Sequence, residues 1–160
     1  MGIEHIRIDD RLIHGQVALC WTRAKSIKVI LAVDDATKNN KMQCQLMKLA
    51  TPAGVTPYFL TIDEAVEKLK ANAYGSKKVM VLAKSPNTIL EMLNKGVEMP
   101  EVNVGNVRPK DATEKLYDFV YSTMDDIPVW KEIIAKGTSL IAQGVPEATS
   151  LDLRKVLEKY

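Results

Sequence analysis

Two hydrophobic periodicities alternate along this chain. Continuous apolar runs, typical of strands buried on both faces, occur at residues 28–33 and 79–83. Between them, apolar residues recur at helical spacing, as at Ile62, Ala65, Val66 and Leu69. This alternation predicts a single α/β domain with a mostly parallel central sheet and helices on both faces.

Shorter apolar or alternating segments predict further strands at residues 3–8, 56–60, 102–105, 119–121 and 139–143. Helical patterns follow several of them and carry Val17, Cys20, Trp21 and Ala24; Met42, Leu46, Leu49 and Ala50; Ile127, Trp130 and Ile134; and Leu153, Val156 and Leu157. The methionines, the tryptophans and the two cysteines, Cys20 and Cys44, are expected in the core, without a disulfide.

Helix boundaries are marked by local signals. Thr61 and Glu64 have the spacing of a capping box, and Ser85 followed by Pro86 is typical of a helix start. Gly96 is suited to a helix C-terminus. Ser150 is expected to cap the last helix.

The composition of the chain disfavours several classes of function. The 160 residues are 46% hydrophobic and 26% charged, with a net charge of +2, as expected for one ordinary globular domain. No basic run interleaved with aromatic residues occurs, which disfavours nucleic-acid binding. No apolar run approaches the ~20 residues of a membrane helix, and no signal-peptide pattern is found, so a cytoplasmic location is expected. Histidine and cysteine spacing predicts no metal site, and no cofactor is expected.

Candidate chemistry concentrates where the first strand ends. Two aspartates and two arginines surround a turn that reaches His14 just before a helical pattern begins. Free backbone N–H groups and the positive end of the helix dipole favour an anion there. Gly15 allows close backbone approach, and the guanidinium of Arg11 could hold phosphate oxygens. A neutral imidazole beside these groups indicates phosphate chemistry.

Other polar residues are weaker candidates. Asp34 and Asp35 resemble half of the magnesium site of a receiver domain, but the next buried strand ends in Lys84 and not in an acceptor aspartate. A solvated turn is therefore the favoured interpretation. Ser85 lies on the same predicted sheet edge and could contribute to anion binding. His5 is interpreted as a strand-face residue, although its polar strand leaves the depth of that strand in the sheet open.

The segment around His14 closely resembles the active-site signature of the IIB component of the mannose/fructose/sorbose-type bacterial sugar phosphotransferase system. It reads Arg7-Ile8-Asp9-Asp10-Arg11-Leu12-Ile13-His14-Gly15-Gln16-Val17. Weaker similarity continues in order through residues 21–22, 52–55, 95–97, 102–106 and 143–146. The resemblance therefore extends over residues 1–160 as one domain of that family.

The resemblance implies a phosphotransferase subunit in which His14 becomes phosphorylated, through Nδ1. A IIA component would be the donor. The phosphoryl group would pass to a sugar held by the membrane components IIC and IID, at the inner face of the cell membrane. Arg11 and Asp10 would support His14, with Gly15, Gln16 and Ser85 as further candidates.

Some questions stay open at this stage. A non-catalytic regulatory module that binds a phosphorylated metabolite or partner at the same cleft is the alternative function. The sequence does not identify the sugar, and it leaves the oligomeric state open, including a homodimer.

Overall fold

A computed structural model describes residues 3–160 of the chain. Its strands are β1 (Ile3–Ile8), β2 (Val29–Val33), β3 (Thr56–Leu60), β4 (Val79–Ala83), β5 (Glu101–Val104), β6 (Glu114–Tyr117), β7 (Val120–Ser122), β8 (Ser139–Ala142) and β9 (Leu151–Asp152). Its helices are α1 (Gly15–Lys25), α2 (Asp35–Lys38), α3 (Lys41–Ala50), α4 (Ile62–Lys70), α5 (Pro86–Asn94), α6 (Ile127–Ala135) and α7 (Leu153–Leu157).

Seven strands form the main sheet, in the order β3-β2-β4-β1-β5-β8-β9. The first six are mutually parallel, and only β9 pairs antiparallel, on β8. Helices connect the parallel strands, because a parallel pair needs a crossover. The predicted α/β domain with a mostly parallel sheet is therefore confirmed, and β1 lies near its centre.

The two faces of the sheet are covered differently. The larger apolar core lies under α4, α5, α6 and α7, and a smaller one lies under α1 and α3. β2 and β4 contribute to both cores, since every residue of the two strands is buried. This explains why their sequences are apolar without alternation.

β1 alternates instead. Ile6 and Ile8 enter the larger core, whereas His5 and Arg7 point to the α1 side and lie against Trp21. The polar residues of β1 are thus explained by its position: one face packs in the core, and the other carries polar groups towards α1. The strand is central despite them.

Most predicted helix ends are confirmed. The Thr61 hydroxyl accepts a hydrogen bond from Glu64 N, and Glu64 Oε1 accepts one from Thr61 N, which completes the capping box. Ser85 occupies the N-cap of α5 without a side-chain capping bond, and Pro86 follows it. Gly96 has a φ of 96°, in the left-handed region, directly after the C-cap of α5.

Three predictions were wrong. Asp152, not Ser150, caps the last helix, because its carboxylate accepts from Arg154 N. The strand predicted at 119–121 is present as β7, although it pairs with β6 in a separate hairpin and not with the main sheet. The second wrong prediction placed both cysteines in the core, whereas Cys20 and Cys44 are only partly buried; they form no disulfide.

The third error concerns α3 and the methionines. Met42, Leu46 and Leu49 are 75%, 62% and 79% exposed, and no residue of α3 is fully buried. Met124 is also exposed, whereas Trp21 and Trp130 are buried as predicted. Only Met47 and Ala50 of this helix pack against the smaller core. The sequence pattern identified an apolar face but not its direction.

Candidate functional site

The candidate site lies in the loop between β1 and α1, at the carboxyl edge of the sheet. Two backbone hydrogen bonds hold this loop from both sides, from Asp9 N to Ala83 O of β4 and from Asp10 N to Asn106 O beyond β5, each 2.8 Å. Leu12 and Ile13 anchor it in the smaller core. A surface loop fixed at this many points can present a side chain with little freedom.

His14 occupies the N-cap of α1, as the sequence predicted. Its backbone is extended, its carbonyl accepts the first helical hydrogen bond from Ala18 N, and its side chain is 27% exposed. The first turn of α1 contains no acidic residue. The free N–H groups of Gly15 and Gln16 and the helix dipole therefore favour an anion beside the imidazole.

Asp9 is the carboxylate at the centre of the site. It is fully buried and accepts hydrogen bonds from Arg7 Nη2 at 3.1 Å and from the backbone N, Nε and Nη2 of Arg11 at 3.1 to 3.3 Å. Its Oδ2 lies 3.5 Å from His14 Nε2. This contact is long and poorly aligned, so that His14 Nε2 forms no hydrogen bond with residues 3–160.

Arg7 holds Asp9 in place from below. Its guanidinium is buried and donates to Asn103 Oδ1 on β5, at 2.5 Å, and to Gln143 O, at 3.0 Å. The Trp21 ring lies 5.6 Å from it. Its packing requires glycine at position 105, where a Cβ would lie 2.1 Å from Arg7 Nη2.

These charges set the protonation states. Burial raises the pKa of Asp9, but the hydrogen bonds from Arg11 and the charge of Arg7 outweigh burial and hold that pKa below its ordinary value. For His14, burial lowers the pKa; Asp9 raises it, and Arg11 and Arg7 lower it, with a lowered pKa as the net result. The imidazole of His14 is accordingly neutral at pH 7, opposite an ionised Asp9.

The structure brings some of the other predicted site residues to His14 and leaves others apart. Arg11 reaches it through their shared contact with Asp9. The Asp10 carboxylate instead accepts from Asn106 Nδ2 at 2.9 Å and Arg108 N at 2.8 Å, so it ties the loop to the segment after β5. Ser85 forms no side-chain hydrogen bond to the loop within the described residues. Lys84 shares a surface cleft with Arg11 and Asp10.

Arg7 and Asp9 belong to the polar turn and to the motif, but sequence reasoning assigned neither an individual role, and it assigned none to Asn103. A signal for the first two was present, because Arg7 and Asp9 are two residues apart and therefore share one face at the end of a strand. Nothing local indicated that Asn103, 96 residues from Arg7 in sequence, would meet it.

His5 and Asp34 make contacts that stabilise the fold. The His5 ring stacks on Trp21 with 4.4 Å between centroids, and burial, Lys25 and Arg7 lower its pKa to about 4. Asp34 caps α2 by accepting from Thr37 N and Oγ1, while Asp35 accepts from Ile62 N. The favoured interpretation of this pair as a strand-end turn is confirmed.

Residues 3–160 contain neither a cluster of metal-ligand side chains nor a membrane-spanning helix. No group of three or more His, Cys, Asp or Glu side chains there could hold a metal ion. None of the helices in this range combines the length and apolar character needed to cross a membrane.

Comparison with known proteins gave consistent matches. A family model described as "PTS system sorbose subfamily IIB component" matches residues 3–160. The N-acetylgalactosamine-specific phosphotransferase enzyme IIB component 2 of Escherichia coli K12 is 28% identical over 94% of this chain and 96% of its own length. The mannose-specific EIIAB component of the same organism is 29% identical over 99% of this chain, which spans 50% of that longer protein.

Solved structures agree. The IIBSor domain of the sorbose permease from Klebsiella pneumoniae superimposes with a TM-score of 0.93 at 26% identity, over 99% of this chain and 98% of that one. The N-acetylgalactosamine-specific IIB component 1 from Escherichia coli superimposes with a TM-score of 0.86 at 27% identity, over 92% and 97% of the two chains.

Proposed function

This chain belongs to the sorbose subfamily of phosphotransferase-system IIB components, and on that premise we propose that His14 is its phosphocarrier. Members of the family are phosphotransferase subunits of sugar transport systems. The observation that carries the proposal is the neutral imidazole of His14 at a helix N-terminus, with buried Asp9 against Nε2 and Arg11 beside it.

The acceptor atom is Nδ1. Because Nε2 faces the Asp9 carboxylate at 3.5 Å, the proton belongs on Nε2 and the lone pair on Nδ1. A carboxylate also faces the histidine of a serine protease, where the two groups are hydrogen-bonded. A nucleophile that favours one tautomer before the donor arrives loses less entropy on reaching the transition state.

Transfer into the site proceeds from a phosphohistidine on a IIA component. The Nδ1 lone pair of His14 attacks phosphorus in line, the donor N–P bond breaks, and its electron pair stays on the donor imidazole. Asp9 stabilises the positive charge that develops on the ring, and Arg11 with the N-terminal N–H groups of α1 binds the equatorial oxygens. These groups act by position and charge alone.

Transfer out of the site regenerates neutral His14. A sugar hydroxyl held by the membrane components IIC and IID attacks phosphorus, the N–P bond breaks, and the electron pair returns to Nδ1. The hydroxyl proton leaves to a base of the acceptor site or to solvent. The protein would thus work at the cytoplasmic face of the membrane, held there by its partners.

In this proposal the membrane components determine which sugar is phosphorylated. Relatives named for N-acetylgalactosamine, mannose and sorbose are 28% or 29% identical to this chain, so overall identity does not rank these sugars.

The test is phosphorylation by a IIA donor carrying labelled phosphohistidine. Wild-type protein should take up one base-stable, acid-labile label, and NMR should place it on Nδ1 of His14. His14→Ala should fold with a free energy of unfolding within ~0.5 kcal/mol of wild type, since the side chain is partly exposed, and should take up none. His5→Ala should still be labelled. Label retained in His14→Ala would remove the proposal and favour the regulatory alternative.

A further inference from the structure

Helix α3 exposes an apolar stripe to solvent. Met42, Leu46 and Leu49 lie at i, i+4 and i+7, on one side of the helix, and each is more than half exposed. Lys41 and Lys48 of the same helix are also exposed, and α3 contains no acidic residue. Among residues 3–160, half of the exposed large apolar side chains belong to this helix.

The two helices over the smaller core, α1 and α3, carry Arg23, Lys25, Lys41 and Lys48 and no acidic residue. Residues 11–62, which supply α1, α2 and α3, contain seven basic and two acidic residues, a net charge of +5. The rest of the chain contains fifteen basic and eighteen acidic residues, a net charge of −3. Both acidic residues of the basic segment, Asp34 and Asp35, are engaged in hydrogen bonds that cap α2 and α4. The solvent-facing side of α1 and α3 is therefore basic.

The stripe is continuous with the candidate site. One surface cleft is lined by Leu46 and Met47 of α3, Arg11 and Asp10 of the loop, and Lys84 at the end of β4. A protein bound across this cleft would contact α3 and the phosphate-binding side chains together.

We propose that the α3 stripe, with its rim of Lys41, Lys48, Lys84 and Arg11, is the docking surface for the phosphorylated IIA donor. This inference rests on the proposed role of His14. The donor approaches carrying a dianionic phosphoryl group while His14 is unphosphorylated, so its charge is complementary to the basic rim at that step. After transfer the dianion belongs to His14 and reduces the net charge of the rim, which weakens the attraction to the donor.

Charge also distinguishes the donor from the other possible occupants. A membrane acceptor meets the phosphorylated form, whose rim is already partly neutralised. A second copy of this chain would bring one basic rim against another, which is unfavourable. A lipid surface would match the lysines, but it would not account for the shared cleft with Arg11.

The experiment measures the initial rate of His14 phosphorylation against the concentration of phosphorylated IIA. Leu46→Glu should raise KM for the donor about 10-fold, because a charge replaces an apolar contact beside the phosphoryl group, while kcat changes little. Lys48→Glu should raise KM at low ionic strength and less at high ionic strength. Leu46→Met should retain the wild-type KM. Met124→Glu, an equally exposed position in the turn before α6, is the matched control.

A small phosphoryl donor separates this inference from the proposed function. Phosphoramidate should label His14 at the same rate in wild type and Leu46→Glu, since it needs no docking surface. If wild-type His14 takes up no label from either donor, the proposed function fails. If wild type is labelled but Leu46→Glu and Met124→Glu have equal KM values for phosphorylated IIA, the docking inference alone fails.

Three further measurements on Leu46→Glu would assign the stripe to another occupant, and each would overturn the proposal if KM for IIA is unchanged. Slower phosphoryl donation to vesicles containing IIC and IID would indicate the membrane acceptor. Loss of a dimer that wild type forms in sedimentation equilibrium would indicate a second copy, and loss of binding to phosphatidylglycerol vesicles would indicate a lipid surface.

Discussion

One face of β1 packs in the apolar core, and the other carries polar groups of the candidate site. On one face Ile6 and Ile8 pack in the larger core, where only apolar contacts are needed. On the other, His5, Arg7 and the following Asp9 form a polar row that ends at His14. The row is buried nearly as deeply as the apolar face, since Arg7 is 2% and Asp9 0% exposed.

The comparison teaches that burial has opposite consequences on the two faces. Removing a methyl group from Ile8 costs contacts and leaves a small cavity. Within the polar row, removing the charge of Asp9 would leave Arg7 buried without a charged partner, and removing Arg7 would leave Asp9 with only the half-exposed Arg11, so each loss costs more than the pair itself contributes. The polar row is therefore sensitive to substitution, and it holds the Asp9 carboxylate that faces His14.

The largest effect is expected for Arg7→Met. Asp9 would lose its buried partner, and the free energy of unfolding should fall by about 3–5 kcal/mol. Ile8→Val on the other face should cost about 1 kcal/mol. Urea denaturation measures both. A loss below that of Ile8→Val would contradict the division between the faces.

Gly105→Ala tests the same contact from the opposite side. Its Cβ would displace the Arg7 guanidinium, so it should destabilise the protein without changing a charge. In the Arg7→Met background, Gly105→Ala should lower the free energy of unfolding much less, because the guanidinium that the Cβ would displace is absent.

The next effect is the acid sensitivity of His5. Its folded-state pKa is about 4 against an ordinary value of 6.5, so the unfolded chain binds the proton first as pH falls. The free energy of unfolding should therefore decrease between pH 6.5 and 4, by about 3 kcal/mol from this group, and the loss should level off below that range. His5→Phe keeps the stack on Trp21 and should flatten this slope. If the free energy of unfolding of His5→Phe falls with pH as steeply as that of wild type in denaturation series, the assignment to His5 is wrong.

Asp9→Asn should slow phosphorylation of His14 by about 100-fold, since the amide no longer stabilises the charged ring. It should also lower the pKa of unphosphorylated His14 further, because Asp9 is the group that raises it. Rate assays and NMR titration of the ring test the two effects separately. Asp10→Asn, which changes the loop tether, should leave the His14 pKa almost unchanged. Equal effects of the two substitutions would show that Asp9 has no special role.

The smallest effect is expected for Arg11→Lys. Lysine keeps the charge but loses the planar fork that reaches both Asp9 and a phosphate, so transfer should slow by about 10-fold. The side chain is 46% exposed, and stability should change by less than ~0.5 kcal/mol. Arg23→Lys, an exposed site on α1, is the control, and equal transfer rates in the two variants would exclude Arg11 from phosphate binding.

Much of the fold was predictable because its signals are local. The apolar runs of β2 and β4 could be placed inside a sheet from sequence, since burial on both faces leaves no polar positions. The capping box of Thr61 and Glu64 and the position of His14 at a helix start also depend on a few neighbouring residues. The motif around His14 was sufficient to identify the family.

Only the tertiary structure decided which carboxylate faces His14. Asp9 and Asp10 are adjacent in sequence and differ only in side-chain direction at the end of β1, and that direction is fixed by the packing of β1 between β4 and β5. The partners of Arg7 on β5 and the need for Gly105 arise from the same pairing. The exposure of α3 depends on where the smaller core ends, and the spacing of apolar residues along the sequence does not show this. Sequence thus determined the elements and the chemical groups, whereas contacts between distant strands determined their roles.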